Sequence, residues 1–280
     1  ADLMVTEAGF GSDMGAEKFI HIKAATSGKA PDCVVMNVTV RSMKLHGGAF
    51  GDRGGIRPDK ATLEAENVEA TSLGAKTNLD RHIRNMASFG VPVVVSINRF
   101  TSDTDAEVTA ISQAAHESGA SSVCITEVHA RGGEGGKELA EAVVKAVQNH
   151  VAAGRPFVPL FTPETDVLAK AEAIATRLYK ADGLELTPKA KRELERIRSW
   201  GYGHLPVCMA KTQYSFSHDA SLLGAPTGFT VPVREFRLNA GAGFVVAVLG
   251  NMMTMPGLPK RPAALDMDMD EDGNLLGVFG

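Results

Sequence analysis

Glu7 is the first residue of the chain whose type and position point to chemistry. It follows a short apolar run, residues 3–6, and a glycine-rich stretch begins directly after it. The run predicts a strand that ends at Glu7, and open α/β sheets bind ligands at the carboxyl ends of their strands. A carboxylate there holds Mg²⁺ directly or through water. Glu7 is therefore a candidate catalytic and magnesium-binding residue, and a solvated loop glutamate fits the sequence equally well.

Asn98 and Phe100 follow another apolar run, residues 93–97. An amide at the end of a strand can read a purine edge with one donor and one acceptor. A phenylalanine two residues later can stack on a flat ring. These residues are candidates for a nucleotide contact and a ring contact, but a turn asparagine and a packing phenylalanine are the simpler explanation of the pattern alone.

Two glycine-rich stretches resemble phosphate-binding loops without matching them. Gly9, Gly11 and Gly15 miss the dinucleotide-binding spacing by one residue, and no acidic residue closes a strand about 20 residues later. Residues 131–138 (RGGEGGKE) lack the leading glycine and the hydroxyl residue of a Walker A loop, and Glu138 would repel phosphate. The sequence therefore predicts no Walker A loop in this chain.

An acidic run near the end of the chain, residues 268–273 (DMDEDG), imitates the start of a calcium-binding EF-hand loop. The twelfth position of such a loop needs a bidentate glutamate, and Phe279 stands there. A turn at Asp272 and Gly273 between two short strands, residues 265–269 and 275–279, is the better interpretation.

The elements that must position these residues alternate between strand and helix patterns. Because strands separated by helices form βαβ units, the predicted class is α/β with a mainly parallel sheet, followed by a C-terminal α+β domain. We predict three domains, residues 1–75, 76–155 and 156–280. Thr104 and Glu107 predict a capping box. The other predicted strands are residues 33–40, 91–97, 122–126, 206–210, 229–236 and 243–249, and the predicted helices are residues 63–89, 104–117, 134–151, 166–179 and 188–200.

Composition excludes several classes of function. A formal net charge of -4 gives no basic footprint for nucleic acid. No apolar run approaches the roughly 20 residues that span a bilayer, so no membrane association is expected. Cys33, Cys124 and Cys208 lie far apart, which disfavours a disulfide framework or a zinc site and fits a reducing cytoplasm. A strand at the very start also leads us to expect that upstream sequence is missing or supplied elsewhere.

Six motifs occur in order along nearly the whole chain: residues 5–19 (VTEAGFGSDMGAEKF), 40–48 (VRSMKLHGG), 92–100 (PVVVSINRF), 132–136 (GGEGG), 209–217 (MAKTQYSFS) and 253–264 (MTMPGLPKRPAA). Together they resemble the formate–tetrahydrofolate ligases, also called 10-formyltetrahydrofolate synthetases. The family's Walker A loop lies in the half that precedes these motifs. The resemblance therefore implies a C-terminal half, and we expect this chain alone to be inactive.

The resemblance also implies the substrates and some site residues. Members of the family join formate to tetrahydrofolate with ATP and Mg²⁺, through formyl phosphate. They form homotetramers. A monovalent cation is a further candidate cofactor. Aromatic residues line the folate pocket of the family, and the motifs place Phe10 and Phe100 at two of these positions. Thr101 stands where many members have proline, and His129 stands where many have tryptophan, which weakens the expected stacking. Three readings stay open: half of a complete ligase, a folate- or purine-binding module without catalysis, and an assembly fragment.

Overall fold

The computed structural model describes residues 2–51, 58–250, 261–271, 273 and 275–277. The chain divides into two units, residues 1–250 and residues 251–280, which are described separately. Within the described residues, no helix has both the length and the apolar character that crossing a bilayer requires.

Three parallel strands form the sheet of the first unit that positions most of the predicted site residues. They are β1 (Val34–Val38), β2 (Val93–Asn98) and β3 (Ser122–Thr126), in the order β1-β2-β3. Val38 pairs with Ile97, and Asn98 pairs with Thr126, so the carboxyl ends of the strands meet at one edge. β2 is buried on both faces because it is the central strand, which explains its continuous run of valine and isoleucine.

Helices connect these strands and continue through the first unit. The helices are α1 (Gly15–Lys18), α2 (Ala25–Ser27), α3 (Val40–His46), α4 (Lys60–Glu64), α5 (Val68–Gly74), α6 (Asp80–Ala87), α7 (Asp105–Glu117), α8 (Val128–Arg131), α9 (Lys137–Ala153), α10 (Val167–Ala173) and α11 (Pro188–Ser199). π-Helical turns lie at Phe19–Ala24, Ala75–Leu79 and Ile174–Leu178, and a 3₁₀ turn lies at Gly132–Gly136. The predicted capping box of α7 is confirmed, with Thr104 as the N-cap and Glu107 as its partner.

Two further sheets complete the first unit. β4 (Gly183–Leu186) pairs in parallel with β6 (Thr230–Val233). β8 (Phe244–Val248) pairs in parallel with β5 (Val207–Ala210) and antiparallel with β7 (Glu235–Asn239). The mixture of parallel βαβ units with an antiparallel pair confirms the predicted α/β class. The predicted domain boundaries at residues 75 and 155 stay predictions.

The second unit contains a short hairpin. β9 (Asp268–Met269) pairs antiparallel with β10 (Leu275–Leu276), which confirms a turn between two strands rather than an EF-hand loop. Asp272 and Phe279 lie outside the described residues.

The predicted strand over residues 3–6 is wrong for this structure. Leu3, Met4 and Val5 form no strand and are exposed. A strand needs a neighbouring edge to satisfy its backbone N–H and C=O groups, and no described segment pairs with these residues. Glu7 consequently follows an exposed segment rather than a paired strand.

Candidate functional site

A cavity of about 840 Å³ lies beside β1 in the first unit. Its wall combines the glycine-rich loop after Glu7, the length of β1, the inner side of α3, the segment around His82 and the polar segment after β5. Its lining includes Glu7, Phe10, Ser12, Asp13, Cys33, Asn37, Ser42, His46, Asn78, His82, Gln213, Tyr214, Ser215 and Phe216. A volume of this size can hold a cofactor-sized ligand.

The glycine-rich loop displays the ring of Phe10. Phe10 has a φ of 61°, a left-handed conformation that is uncommon for a residue with a side chain, and its side chain is 77% exposed. The loop turns where the carbonyl of Gly11 accepts hydrogen bonds from the amides of Met14 and Gly15. A Cβ at Gly15 would stand 1.8 Å from the carbonyl oxygen of Gly9, so this close approach requires glycine. Strained, exposed aromatic residues of this kind cluster at ligand sites.

A buried ion pair fixes the loop from beneath. The ammonium group of Lys211 donates to the carboxylate of Asp13 and to the carbonyls of Thr212 and Ser215. Burial lowers the pKa of Lys211, while the Asp13 carboxylate opposes this shift. Both side chains are almost completely shielded from solvent. The pair connects the glycine-rich loop, which contains Asp13, to the segment after β5, which contains Lys211.

His82 makes a second connection beneath the same loop. Its Nδ1 lies 2.6 Å from the hydroxyl of Ser12, and its ring packs against Phe216 with 4.4 Å between the ring centroids. Burial lowers the pKa of His82, and the positive charges of Lys211 and Arg81 lower it further, although Asp13 acts in the opposite direction. Burial and the two neighbouring cations therefore favour the neutral form of the His82 imidazole.

A third buried pair lies where α1 joins the π-helical turn. The carboxylate of Glu17 accepts from Lys18 Nζ at 2.7 Å and from His21 Nδ1 at 2.9 Å. Burial acts to raise the pKa of Glu17, but Lys18 and His21 together hold it below its ordinary value. The His21 ring is also held between Phe89 and Phe161. These contacts anchor the helix that follows the glycine-rich loop.

The carboxyl edge of the sheet carries the other predicted residues. Asn98 ends β2, and the amide of Phe100 donates to the carboxylate of Asp103 at 2.9 Å. The guanidinium carbon of Arg41 lies 4.7 Å from the centroid of the Phe100 ring. Phe100 and the exposed Thr101 follow β2 in a turn at this edge. The edge therefore offers an aromatic face with a cation already packed on it.

His129 lies in α8, which begins just after β3. It is exposed, and the glycine-rich stretch that follows forms a 3₁₀ turn instead of a phosphate-binding loop. The amide of Glu127 donates to the carbonyl of Gly135 at 3.1 Å, which folds the turn back on the end of β3. A Cβ at Gly135 would come within 2.5 Å of the Glu127 carbonyl oxygen, so the turn requires glycine there.

The structure separates the predicted residues into two groups. Glu7 and Phe10 line the cavity, whereas Asn98, Phe100, Thr101 and His129 lie at the carboxyl edge and are not among its lining residues in the described part of the chain. Sequence reasoning missed three residues beneath or beside these groups, namely Asp13, His82 and Arg41. Only Arg41 had a local signal, because it comes shortly after β1 and lies between the capping-box residues Thr39 and Ser42.

Two carboxylates of the cavity wall, Glu7 and Asp13, are the candidate ligands for Mg²⁺. The described residues contain no cluster of three or more His, Cys, Asp or Glu side chains arranged to hold a metal. Glu7 is exposed in the wall, while Asp13 is engaged by Lys211. Mg²⁺ is often held by one or two carboxylates together with substrate phosphates and water. Of these two carboxylates, Glu7 is the one exposed to a ligand in the cavity, so it is the donor that fits such a shared site.

The fold is α/β, and the second group of predicted residues lies at the carboxyl edge of its parallel sheet, the end where such sheets bind small molecules. The comparison with known families then identifies the family. The chain belongs to the formate–tetrahydrofolate ligase family, whose model matches residues 1–279.

Curated relatives agree with this assignment. The chain is 49% identical over 280 residues to the formate–tetrahydrofolate ligase of Symbiobacterium thermophilum, covering 100% of this chain and 48% of that protein. It is 50% identical over 279 residues to the ligases of Roseobacter denitrificans and of Ruegeria sp. strain TM1040, with 100% and 48% coverage in each case. The chain therefore spans about half the length of these curated relatives.

Proposed function

We propose that this chain contributes the folate-side, C-terminal half of an ATP-dependent ligase that joins formate to tetrahydrofolate and yields 10-formyltetrahydrofolate. The observation that carries this proposal is the display of Phe10 on a strained glycine-rich loop at the mouth of a large cavity. Family membership and the names of the relatives support the same reaction. The absence of a Walker A sequence from residues 1–280 supports placing the grip on the triphosphate in the remaining half.

The chemistry explains why two substrate sites are needed. Formate is a poor acyl donor because its leaving group would be oxide. An oxygen of formate attacks the γ-phosphorus of ATP, the bond to the bridging oxygen breaks, and ADP leaves formyl phosphate behind. The N10 amine of tetrahydrofolate then attacks the formyl carbon, inorganic phosphate leaves, and the amine loses its proton. Mg²⁺ bound with the nucleotide neutralises the charge that develops on the phosphoryl oxygens.

The residues of this chain have distinct parts in the proposal. Phe10 and Phe100 supply ring faces for the pterin, and Thr101 and His129 complete that wall with less stacking surface than proline and tryptophan would give. Asn98 reads the purine edge of the nucleotide. Glu7 contributes a carboxylate to the shared magnesium site, and a monovalent cation is a further candidate ligand of the assembled enzyme.

Reconstitution tests the division between halves. Turnover is measured with formate, ATP and tetrahydrofolate, for this chain alone and after addition of the remaining half of a full-length relative. We expect no turnover by the chain alone and turnover by the mixture. Turnover by the chain alone would contradict the assignment of the phosphate grip to the other half.

Aromatic substitutions test the folate wall in the reconstituted enzyme. Phe10→Ala and Phe100→Ala should each raise the KM for tetrahydrofolate by about tenfold, because a ring face is lost. Trp200→Ala removes another exposed aromatic side chain, at the end of α11 and outside both groups, and should leave KM unchanged. Unchanged KM values in both phenylalanine variants would favour the alternative in which the chain is a purine-binding or assembly fragment.

The cellular setting of the proposed enzyme follows from its substrates and family. We propose a cytoplasmic homo-oligomer whose ligands are small molecules, with no nucleic acid or membrane partner. Analytical ultracentrifugation of the reconstituted protein measures the oligomeric state, and a strictly one-to-one complex of the two halves would contradict a homo-oligomeric enzyme.

A further inference from the structure

A second cavity, of about 470 Å³, lies in the first unit and is separate from the candidate folate site. It opens between α6 and the π-helical turn that follows α10. Its described wall consists of Asp80, Arg81, Arg84, Asn85, Ser88, Leu160, Arg177, Lys180 and Thr227. Leu160 is its one large apolar side chain, so the cavity is shaped for a polar ligand.

Positive charge dominates this wall. Arg81, Arg84, Arg177 and Lys180 face one acid, Asp80. The Asp80 carboxylate is engaged by Arg84 Nε at 2.7 Å, which neutralises that one pair. The other three cations have no carboxylate within ion-pair distance among the described residues. The cavity therefore concentrates uncompensated positive charge in a concave surface.

Arg81 is held rigidly at the back of the cavity. Its guanidinium donates to the carbonyl of Pro226 at 2.6 Å and to that of Ala225 at 3.0 Å, and it packs on the Phe216 ring with 5.2 Å to the centroid. Carbonyl acceptors orient the guanidinium without cancelling its charge. Arg81 thus provides a fixed positive potential rather than a mobile donor.

Arg177 and Lys180 are the exposed cations that can reach a ligand. Arg177 makes one long contact, 3.5 Å from its guanidinium to the carbonyl of Leu160. Lys180 makes no hydrogen bond or ion pair within the described residues. Thr227, which carries a hydroxyl group, lines the same cavity. A guanidinium offers two parallel donors to an oxyanion, and an ammonium adds a point charge.

Lys180 is also unusual in its backbone. Its φ of 63° lies in the left-handed region, where glycine is unstrained and a lysine is not. The turn must adopt this conformation because the next amides, of Ala181 and Asp182, bond to the carbonyls of Ala175 and Phe229. Glycine at position 180 would adopt this backbone conformation without strain, so a lysine there is not explained by folding stability.

We propose that this cavity binds a small polyanion that carries two or more phosphate or carboxylate groups. Arg177 and Lys180 contact the anionic groups directly, Thr227 donates a hydrogen bond, and Arg81 supplies the potential behind them. The volume matches a small-molecule site. The proposal rests on the charge and shape of this cavity and does not depend on the ligase reaction.

Calorimetric titration of the 280-residue chain with pyrophosphate, and separately with citrate, tests the site. The double variant Arg177→Gln with Lys180→Gly should weaken binding at least tenfold. The control Lys191→Gln with Arg192→Gln removes the same charge from the exposed surface of α11 and should bind as the wild type does. Tighter binding of pyrophosphate assigns a phosphorylated ligand, and tighter binding of citrate assigns a polycarboxylate.

A stability measurement separates a binding role from a structural one. Lys180→Gly alone should keep or raise the melting temperature, because glycine relieves the left-handed strain, while it weakens binding of the tighter probe. Two outcomes would overturn the proposal. One is no saturable binding of either probe at millimolar concentration, and the other is an equal loss of affinity in the cavity variant and the surface control.

Discussion

Lys211 and Asp13 form a buried ion pair although 198 positions separate them in the sequence. The pair joins the loop that displays Phe10 to the segment that follows β5. Asp13 lines the 840 Å³ cavity, and so does Ser215, whose carbonyl accepts a hydrogen bond from Lys211. The orientation of Phe10 therefore depends on Lys211, which is distant in the sequence.

Removal of one partner of this pair should be costly. Lys211→Met leaves the Asp13 carboxylate buried without its cation, and we expect the free energy of unfolding to fall by roughly 3–5 kcal/mol. Urea denaturation measures the change. Lys60→Gln breaks an exposed ion pair with Glu64 and should cost less than about 1 kcal/mol. Similar losses in the two variants would show that the buried pair does not hold the loop.

Replacement of Glu107 should also lower the free energy of unfolding, mainly because its ion pair is lost rather than its role in the capping box. It pairs with buried Lys44 at 2.7 Å and also closes the capping box of α7 with Thr104. Glu107→Gln keeps the capping geometry but removes the charge, so we expect a loss of about 3 kcal/mol. Thr104→Ala removes the cap alone and should cost about 1 kcal/mol in the same urea experiment. The reverse order of the two losses would contradict a dominant ion pair.

Acid should destabilise the protein in a window set by His82. Burial lowers the pKa of His82 in the folded state below its ordinary value of 6.5. The unfolded chain then binds the proton more readily, so stability is complete above pH 6.5 and declines as the pH falls below it. The slope contributed by one group is at most about 1.4 kcal/mol per pH unit.

The matched variants for this prediction are His82→Gln and His116→Gln. Unfolding free energies at pH 7 and pH 5.5 should differ less in His82→Gln than in the wild type. His116 is exposed on α7, so its replacement should leave the difference unchanged. An NMR titration that places the pKa of His82 at or above 6.5 would contradict the prediction.

Cys33 should react slowly although it lines a large cavity. Burial raises its pKa from 9.0 to about 11, against a backbone hydrogen bond that lowers it. At pH 8 this pKa lowers the thiolate fraction by about a hundredfold. A more basic thiolate is also a better nucleophile, which offsets part of the loss in rate. We therefore expect alkylation roughly tenfold slower than for an ordinary thiol. Mass spectrometry of iodoacetamide-treated protein measures the rate, and urea-unfolded protein is the control. Equal rates in the folded and unfolded protein would show that burial does not suppress the thiolate.

Local signals predicted the three strands of the parallel sheet and the start of α7. The continuous apolar run of β2 is recognisable as a buried strand. Thr104 and Glu107 predict the start of α7 to within one residue. The hairpin of β9 and β10 follows from the spacing of two short runs around an acidic turn. These features depend on residues that are close in sequence, which is why composition and spacing predict them.

Features that depend on distant partners were not predicted. β4 is a short run with glycine and glutamate among its residues, and it becomes a strand because β6 lies beside it. Residues 3–6 have the composition of a strand but no edge to pair with. Asp13 and His82 look like ordinary loop and helix residues until Lys211 and Ser12 are placed next to them. The placement of Phe10 and Phe100 on one folate wall stays a prediction.

β1 has a consequence for handling the protein. It bonds to β2 on one side, and on its other side the described residues provide no strand. Val35, the second residue of β1, is exposed. Such an edge is a template for adding another strand, so the chain studied alone should self-associate as its concentration rises. A polypeptide that supplies one more parallel strand at Val34–Val38 would extend the sheet and suppress that self-association.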